Sequence, residues 1–171
     1  QMVPTDEELS LVAGQVVTML ADAGESVAAA ESCTGGWVAK ALTDIAGSSA
    51  VFGVGLVTYS NAAKQQFLNV PDFVLDKHGA VSRETVTAMA EGLRAISGAD
   101  YAVAVSGIAG PDGGSEDKPV GTVWFAWARR DGDPPLTTGM HRFEGNRDEV
   151  RRQAVLTALA LLVAYTQVTG I

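Results

Sequence analysis

Apolar residues at Leu9, Val12, Val16, Met19 and Leu20 recur at helical spacing behind Thr5-Asp6-Glu7-Glu8. With Thr5 as cap and Glu8 reaching back, the segment fits a capping box and predicts a first helix ending at Gly24. Ser26 to Ala30 is short, apolar and bounded by polar residues, which predicts a strand buried on both faces. Glu31-Ser32-Cys33-Thr34-Gly35-Gly36 then opens a second helix, running to about Ala46 and broken by Gly47-Ser48-Ser49. The Gly-spaced run Val51 to Tyr59 supplies a second strand whose first residues are expected to be irregular. Ser60 caps a short helix carrying Lys64, Gly79 marks a stop, and Ser82 caps a longer helix through about Ile96 that Gly98 ends.

Asp100 to Ser106 has the continuous apolar character of a central parallel strand. Gly107 to Pro119 is loop by composition, and Val120 to Ala128 and Leu136 to Phe143 flank a turn-rich segment as two antiparallel strands. Asn146 caps a last helix reaching about Thr166. This order, α-β-α-β-α-α-β-β-β-α, predicts an α/β fold: a three-layer sandwich with a mixed, mainly parallel sheet and helices on both faces. No linker divides it, so residues 1–171 are expected to form one domain.

Charge narrows the partners. The 171 residues carry 12 Lys+Arg against 20 Asp+Glu, a net −8, and a chain so acidic is not expected to grip nucleic acid through clustered cations. Cys33 is the single cysteine, which excludes an internal disulfide and makes a reducing, cytoplasmic setting the default expectation. The longest apolar run, Ala154 to Tyr165, is interrupted by Thr157 and falls short of the roughly 20 residues that span a bilayer, so no membrane contact is expected. The N-terminus shows no secretory signal, Gln1 before Met2 reads as extraneous, and residues 1–4 are expected to be flexible.

Three polar clusters follow apolar strands: Glu31 to Gly36, Tyr59 to Lys64, and Ser106 to Gly114. In open α/β sheets ligands bind beyond the carboxyl ends of parallel strands, which makes these clusters the candidate site. Ser32 to Gly36 offers hydroxyls, amide N–H groups and a helix N-terminus to a phosphate or oxyanion, without a dinucleotide fingerprint or Walker spacing. Lys64, if desolvated, is a candidate base for a serine hydroxyl. Ser49 stands in a Gly-flanked turn that exposes its hydroxyl, while Cys33 reads as a small buried thiol. His78 and His141 lack a neighbouring nucleophile motif, and no metal-ligand spacing is present, so neither metal nor cofactor is expected. Arg147 occupies the first turn of the last helix, where the dipole disfavours a cation; an outside anion and the adjacent Asp148 and Glu149 are equally good partners for it.

Taken together, Ala30-Glu31-Ser32-Cys33-Thr34-Gly35-Gly36, Gly47-Ser48-Ser49, Tyr59-Ser60-Asn61-Ala62-Ala63-Lys64, His78-Gly79-Ala80-Val81-Ser82, Ser106 to Gly114 and Lys118-Pro119-Val120-Gly121-Thr122-Val123 resemble the CinA C-terminal domain family. The likeness continues through Arg147 to Arg152 and covers nearly the whole chain in the expected order. It implies the stand-alone form of that domain, a metal-independent serine amidohydrolase that converts nicotinamide mononucleotide to nicotinate mononucleotide and ammonia in pyridine-nucleotide recycling. It further implies a homodimer with a small-molecule mononucleotide substrate. The active-site positions it points to are Ser32, Ser49, Tyr59, Lys64, Ser106 and Arg147.

On that resemblance Ser49 is assigned as nucleophile, Lys64 as its base and Tyr59 as oxyanion stabiliser or proton relay. Ser32, Thr34, Gly35, Gly36, Ser106, Gly107, Gly110 and Arg147 are assigned to ribose and phosphate. A regular strand over Val51 to Thr58 would, however, hold Ser49 about 26 Å from the Tyr59 end, at roughly 3.3 Å per residue. Ser49 therefore needs a folded-back segment or a neighbouring subunit; otherwise Ser32 is the nucleophile. A non-catalytic nucleotide-sensing module is the alternative function.

Overall fold

The computed structural model describes residues 2–168. Thr5 accepts from the Glu8 N–H at 3.1 Å and Glu8 accepts from the Thr5 N–H at 3.0 Å, so α1 (Asp6–Ala23) starts on the expected capping box and closes at Gly24. β1 (Val27–Glu31) leads into α2 (Trp37–Thr43), a 3-10 turn (Ser48–Ala50) and β2 (Phe52–Val57). α2 stops earlier than the expected Ala46. The segment before Gly79 holds two helices rather than one: α3 (Asn61–Leu68) and α4 (Asp72–His78). Asn69 closes α3 in the left-handed region at φ 55, and Pro71, extended and lacking an N–H, starts α4. α5 (Arg83–Ser97), β3 (Tyr101–Gly107), β4 (Thr122–Arg129), β5 (Thr137–Arg142) and α6 (Arg147–Gln167) complete the order.

The five strands form one sheet in the order β2-β1-β3-β4-β5. β1 runs parallel to both β2 and β3, whereas β4 is antiparallel to both β3 and β5. Four strands thus share a direction although the ladders divide evenly between parallel and antiparallel.

Alternation assigns each strand residue to a layer. Val27, Val103, Val105, Phe125 and Trp127 pack toward α1, α2 and α6, whereas Ala28, Ala30, Ala102, Ala104, Ala126 and Ala128 face α3, α4 and α5. A carpet of methyl groups on that second face lets α5 lie close against β3 and β4. Gly92 of α5 repeats the device against α3, since a Cβ there would stand 1.9 Å from the Leu68 carbonyl oxygen. The expected flexibility of residues 1–4 does not extend to Pro4, which is buried and whose carbonyl accepts from Arg152 at 3.5 Å. Gln1 lies outside the described residues. Among the described residues no helix is long and apolar enough to cross a membrane.

Candidate active site

The parallel registers bring three strand ends side by side. Glu31 is paired with both Val57 and Val105, so the next residues along β1, β2 and β3 are Ser32, Thr58 and Ser106. Backbone bonds continue the ladder one step: Ser32 N–H donates to the Val105 carbonyl at 3.0 Å, and Thr58 N–H to the Glu31 carbonyl at 2.9 Å. Beyond this edge lies a cavity of about 270 Å³ lined by Ser32, Tyr59, Lys64, Ser106, Gly107, Gly110 and Arg147, with Cys33, Ala80, Val81, Ala109 and Asp112 around them.

Lys64 reaches the cavity from α3. Ser60 caps that helix by accepting from the Ala63 N–H at 3.0 Å, and side chains on a helix lean toward its N-terminus, which directs Lys64 back over the end of β2. Its side chain is wholly buried, and Nζ stands 2.9 Å from Ser32 Oγ, 2.7 Å from the Thr58 carbonyl and 3.2 Å from the Tyr59 carbonyl. Among the described residues no carboxylate offsets this ammonium. Burial therefore pulls the Lys64 pKa down from its ordinary 10.5 to about 8. A neutral amine has two N–H bonds and one lone pair: the carbonyls of Thr58 and Tyr59 take the bonds, and the lone pair is left for the Ser32 hydroxyl proton.

Across the cavity Arg147 donates to the Gly110 carbonyl at 2.8 Å and to Tyr59 Oη at 3.1 Å. Asp148 and Glu149, weighed as partners for Arg147, are engaged elsewhere: Asp148 pairs with Arg152 at 2.8 Å, and Glu149 accepts from the Asn146 N–H at 2.9 Å. Both partners of Arg147 are neutral, so its full charge faces the cavity. The Tyr59 phenol is half-exposed and tied to Arg147, while the Tyr59 backbone carbonyl is what touches Lys64. Ala109 and Gly110 on the glycine-rich loop keep backbone N–H groups with no partner in the described chain.

Other assignments are not brought together. Ser49 is exposed in the 3-10 turn before β2, whereas Lys64 lies beyond that strand's far end. β2 (Phe52–Val57) shows the irregularity expected of its first residues, a register shift against β1 between Phe52 and Gly55, yet it runs on alongside β1 to Val57, so the chain does not fold Ser49 back onto Lys64. Thr34 is buried, and Gly35 and Gly36 line a separate hollow with Trp37, Arg151 and Arg152. Nor is the α2 N-terminus free for a phosphate, because the buried Glu31 carboxylate accepts from Val38 N–H at 2.9 Å, Ala39 N–H at 3.0 Å and Thr34 Oγ1 at 2.6 Å.

Two residues that sequence reasoning left without a role hold this turn in place. Glu31 is one; a carboxylate closing an otherwise apolar strand was the available signal, since buried charges demand partners. Arg151 is the other, donating to the Cys33 and Thr34 carbonyls at 3.0 and 3.1 Å. Burial pushes the Cys33 thiol up to about 12, which keeps it protonated beside Ser32. His141 stacks on Phe143, away from the cavity. Among the described residues no group of three His, Cys, Asp or Glu side chains is placed to hold a metal ion.

A model of the CinA C-terminal domain matches residues 10–166. The chain is 56% identical over 158 residues to "Nicotinamide-nucleotide amidohydrolase PncC" of Escherichia coli strain K12, covering 92% of this chain and 94% of that protein. A "CinA-like protein" of Geobacter sulfurreducens is 52% identical over 144 residues, which cover 84% of this chain but 34% of that longer one. Among solved structures, "competence/damage inducible protein CihA" from Agrobacterium tumefaciens superposes with a TM-score of 0.91 at 45% identity, covering 98% of this chain and 99% of that one.

Proposed function

The chain belongs to the CinA C-terminal domain family, and from that premise we propose that it hydrolyses the carboxamide of nicotinamide mononucleotide to nicotinate mononucleotide and ammonia. The observation that carries the chemistry is Lys64, buried without a counter-charge and 2.9 Å from Ser32 Oγ. We assign Ser32 as nucleophile and Lys64 as general base, the alternative that the single chain assembles. Neutral Lys64 takes the Ser32 proton as Oγ attacks the carboxamide carbon, and the resulting ammonium returns that proton to the leaving nitrogen, releasing ammonia. Water then attacks the ester, again through Lys64, and frees the acid.

The N–H groups of Ala109 and Gly110 are available to the tetrahedral oxyanion, and Arg147 to the phosphate. Tyr59 holds Arg147 in place rather than relaying the proton. The Ser106 hydroxyl and the backbone at Gly107 suit the ribose. This activity would serve recycling of the pyridine nucleotide.

Ammonia release from nicotinamide mononucleotide by wild type, Ser32→Ala, Ser49→Ala and Lys64→Ala tests the assignment, with mass spectrometry locating the acyl-ester. An ester on Ser49 would overturn it. Wild-type protein that binds the nucleotide without turnover would instead make this a sensing module. In a homodimer a second copy is the route by which Ser49 would join the site; activity recovered on mixing Ser49→Ala with Lys64→Ala chains would show it.

A further inference from the structure

We propose that a second cavity binds a nucleoside polyphosphate, with its phosphates on Lys77, Arg83 and Lys118 and its base against Trp124. This cavity measures about 470 Å³ and shares the Val81 wall with the Ser32 cavity. It is formed where the His78-Gly79-Ala80-Val81-Ser82 turn meets the glycine-rich loop, a junction the proposed hydrolysis does not use.

Three cations line it, and among the described residues none of them has a carboxylate within ion-pair reach, in a chain whose net charge is −8. Elsewhere Lys40, Arg94, Arg129, Arg130 and Arg152 each pair with an acid, whereas Lys64, Arg142, Arg147 and Arg151 find none among the described residues. The one carboxylate in the wall, Glu84, faces His78 at 3.6 Å. Lys118 is held inward: its Nζ donates to the His78 carbonyl at 2.6 Å, which uses one of three N–H bonds and leaves the charge uncompensated. Gly79 turns the chain here at φ 76, a conformation in which a side chain would be strained. The Arg83 guanidinium lies 5.4 Å from the Trp124 ring centroid, a flat cationic and aromatic pair of the kind that stacks on a nucleobase.

A concave site suits a small molecule, and three unpaired cations match more than one phosphate charge. The proposal does not depend on the hydrolytic reading, because the residues differ and binding is read directly.

Calorimetric titration of ADP into the full chain tests it. Saturable binding is expected, weakened about tenfold or more in Arg83→Gln and in Lys118→Gln, each of which removes one charge. Ser32→Ala is expected to leave ADP affinity unchanged, and adenosine and inorganic pyrophosphate are each expected to bind more weakly than ADP. Three results would overturn the proposal: no saturable binding at millimolar ADP, unchanged affinity in both glutamine variants with native circular dichroism, or displacement of ADP by nicotinamide mononucleotide. Pyrophosphate binding as tightly as ADP would remove the nucleobase from it.

Discussion

Glu31 and Ser32 are neighbours in the chain and face opposite layers of the molecule. Glu31 turns toward α2, where one hydroxyl and two amide N–H groups satisfy its buried carboxylate. Ser32 turns toward α3, where it meets a buried ammonium that only neutral oxygens accompany. Both sites bury a charge at one strand end. The first is fully compensated and so holds the turn; the second is left uncompensated, which makes Lys64 a base near neutral pH.

The sharpest way to break this comparison is to remove the amine. Lys64→Met and Ser32→Ala are each expected to lower kcat by about a thousandfold or more, measured as ammonia release. Stability should then move in opposite directions on the two faces. The folded pKa of Lys64, about 8, lies below its ordinary 10.5, so the unfolded chain binds more protons between those values and stability rises with pH across that window. Below the window the penalty is fully present, up to about 3 kcal/mol, and Lys64→Met should relieve part of it at pH 7. Glu31→Ala strands two buried donors and one part-buried donor and should cost about 3 kcal/mol in urea unfolding. A Lys64→Met protein less stable than wild type would sink the contrast.

Activity should carry the same signature. In the proposed mechanism the neutral amine is the active form, so kcat/KM is expected to rise about tenfold per pH unit up to about 8 and then level off. A flat profile from pH 6 to 9 would remove Lys64 from the base role. Arg147→Gln, which removes the charge, is expected to raise KM about tenfold with a smaller change in kcat. The smallest effect is assigned to Ser49→Ala: kcat within about twofold, because Ser49 stands at the other end of β2. A thousandfold loss there would require a second copy in the site.

Much of the fold was legible locally. Thr5, Ser60, Ser82 and Asn146 start helices because a hydroxyl or amide oxygen accepts from the N–H groups a helix start leaves open. α4 escapes a local reading because a left-handed Asn69 ends α3 and Pro71 restarts a helix only two residues later. For the candidate site, strand-end clusters pointed to the edge where the Ser32 cavity lies, and Lys64 was legible as a base candidate. The preference for Ser49 rests on resemblance, against the strand-length argument that β2, extended despite its register shift, sustains within one chain.

By itself, then, the sequence determined the caps, the alternation of large and small residues, and the edge on which the polar clusters collect. Each is a property of a few adjacent residues. Only the tertiary structure decided which serine meets Lys64 and which group fills the α2 N-terminus. Both follow from the parallel register of β1 with β2 and β3, a pairing between residues far apart in the chain. A side-chain period of two then sends Glu31 to one layer and Ser32 to the other, where burial without a counter-charge depresses the lysine pKa.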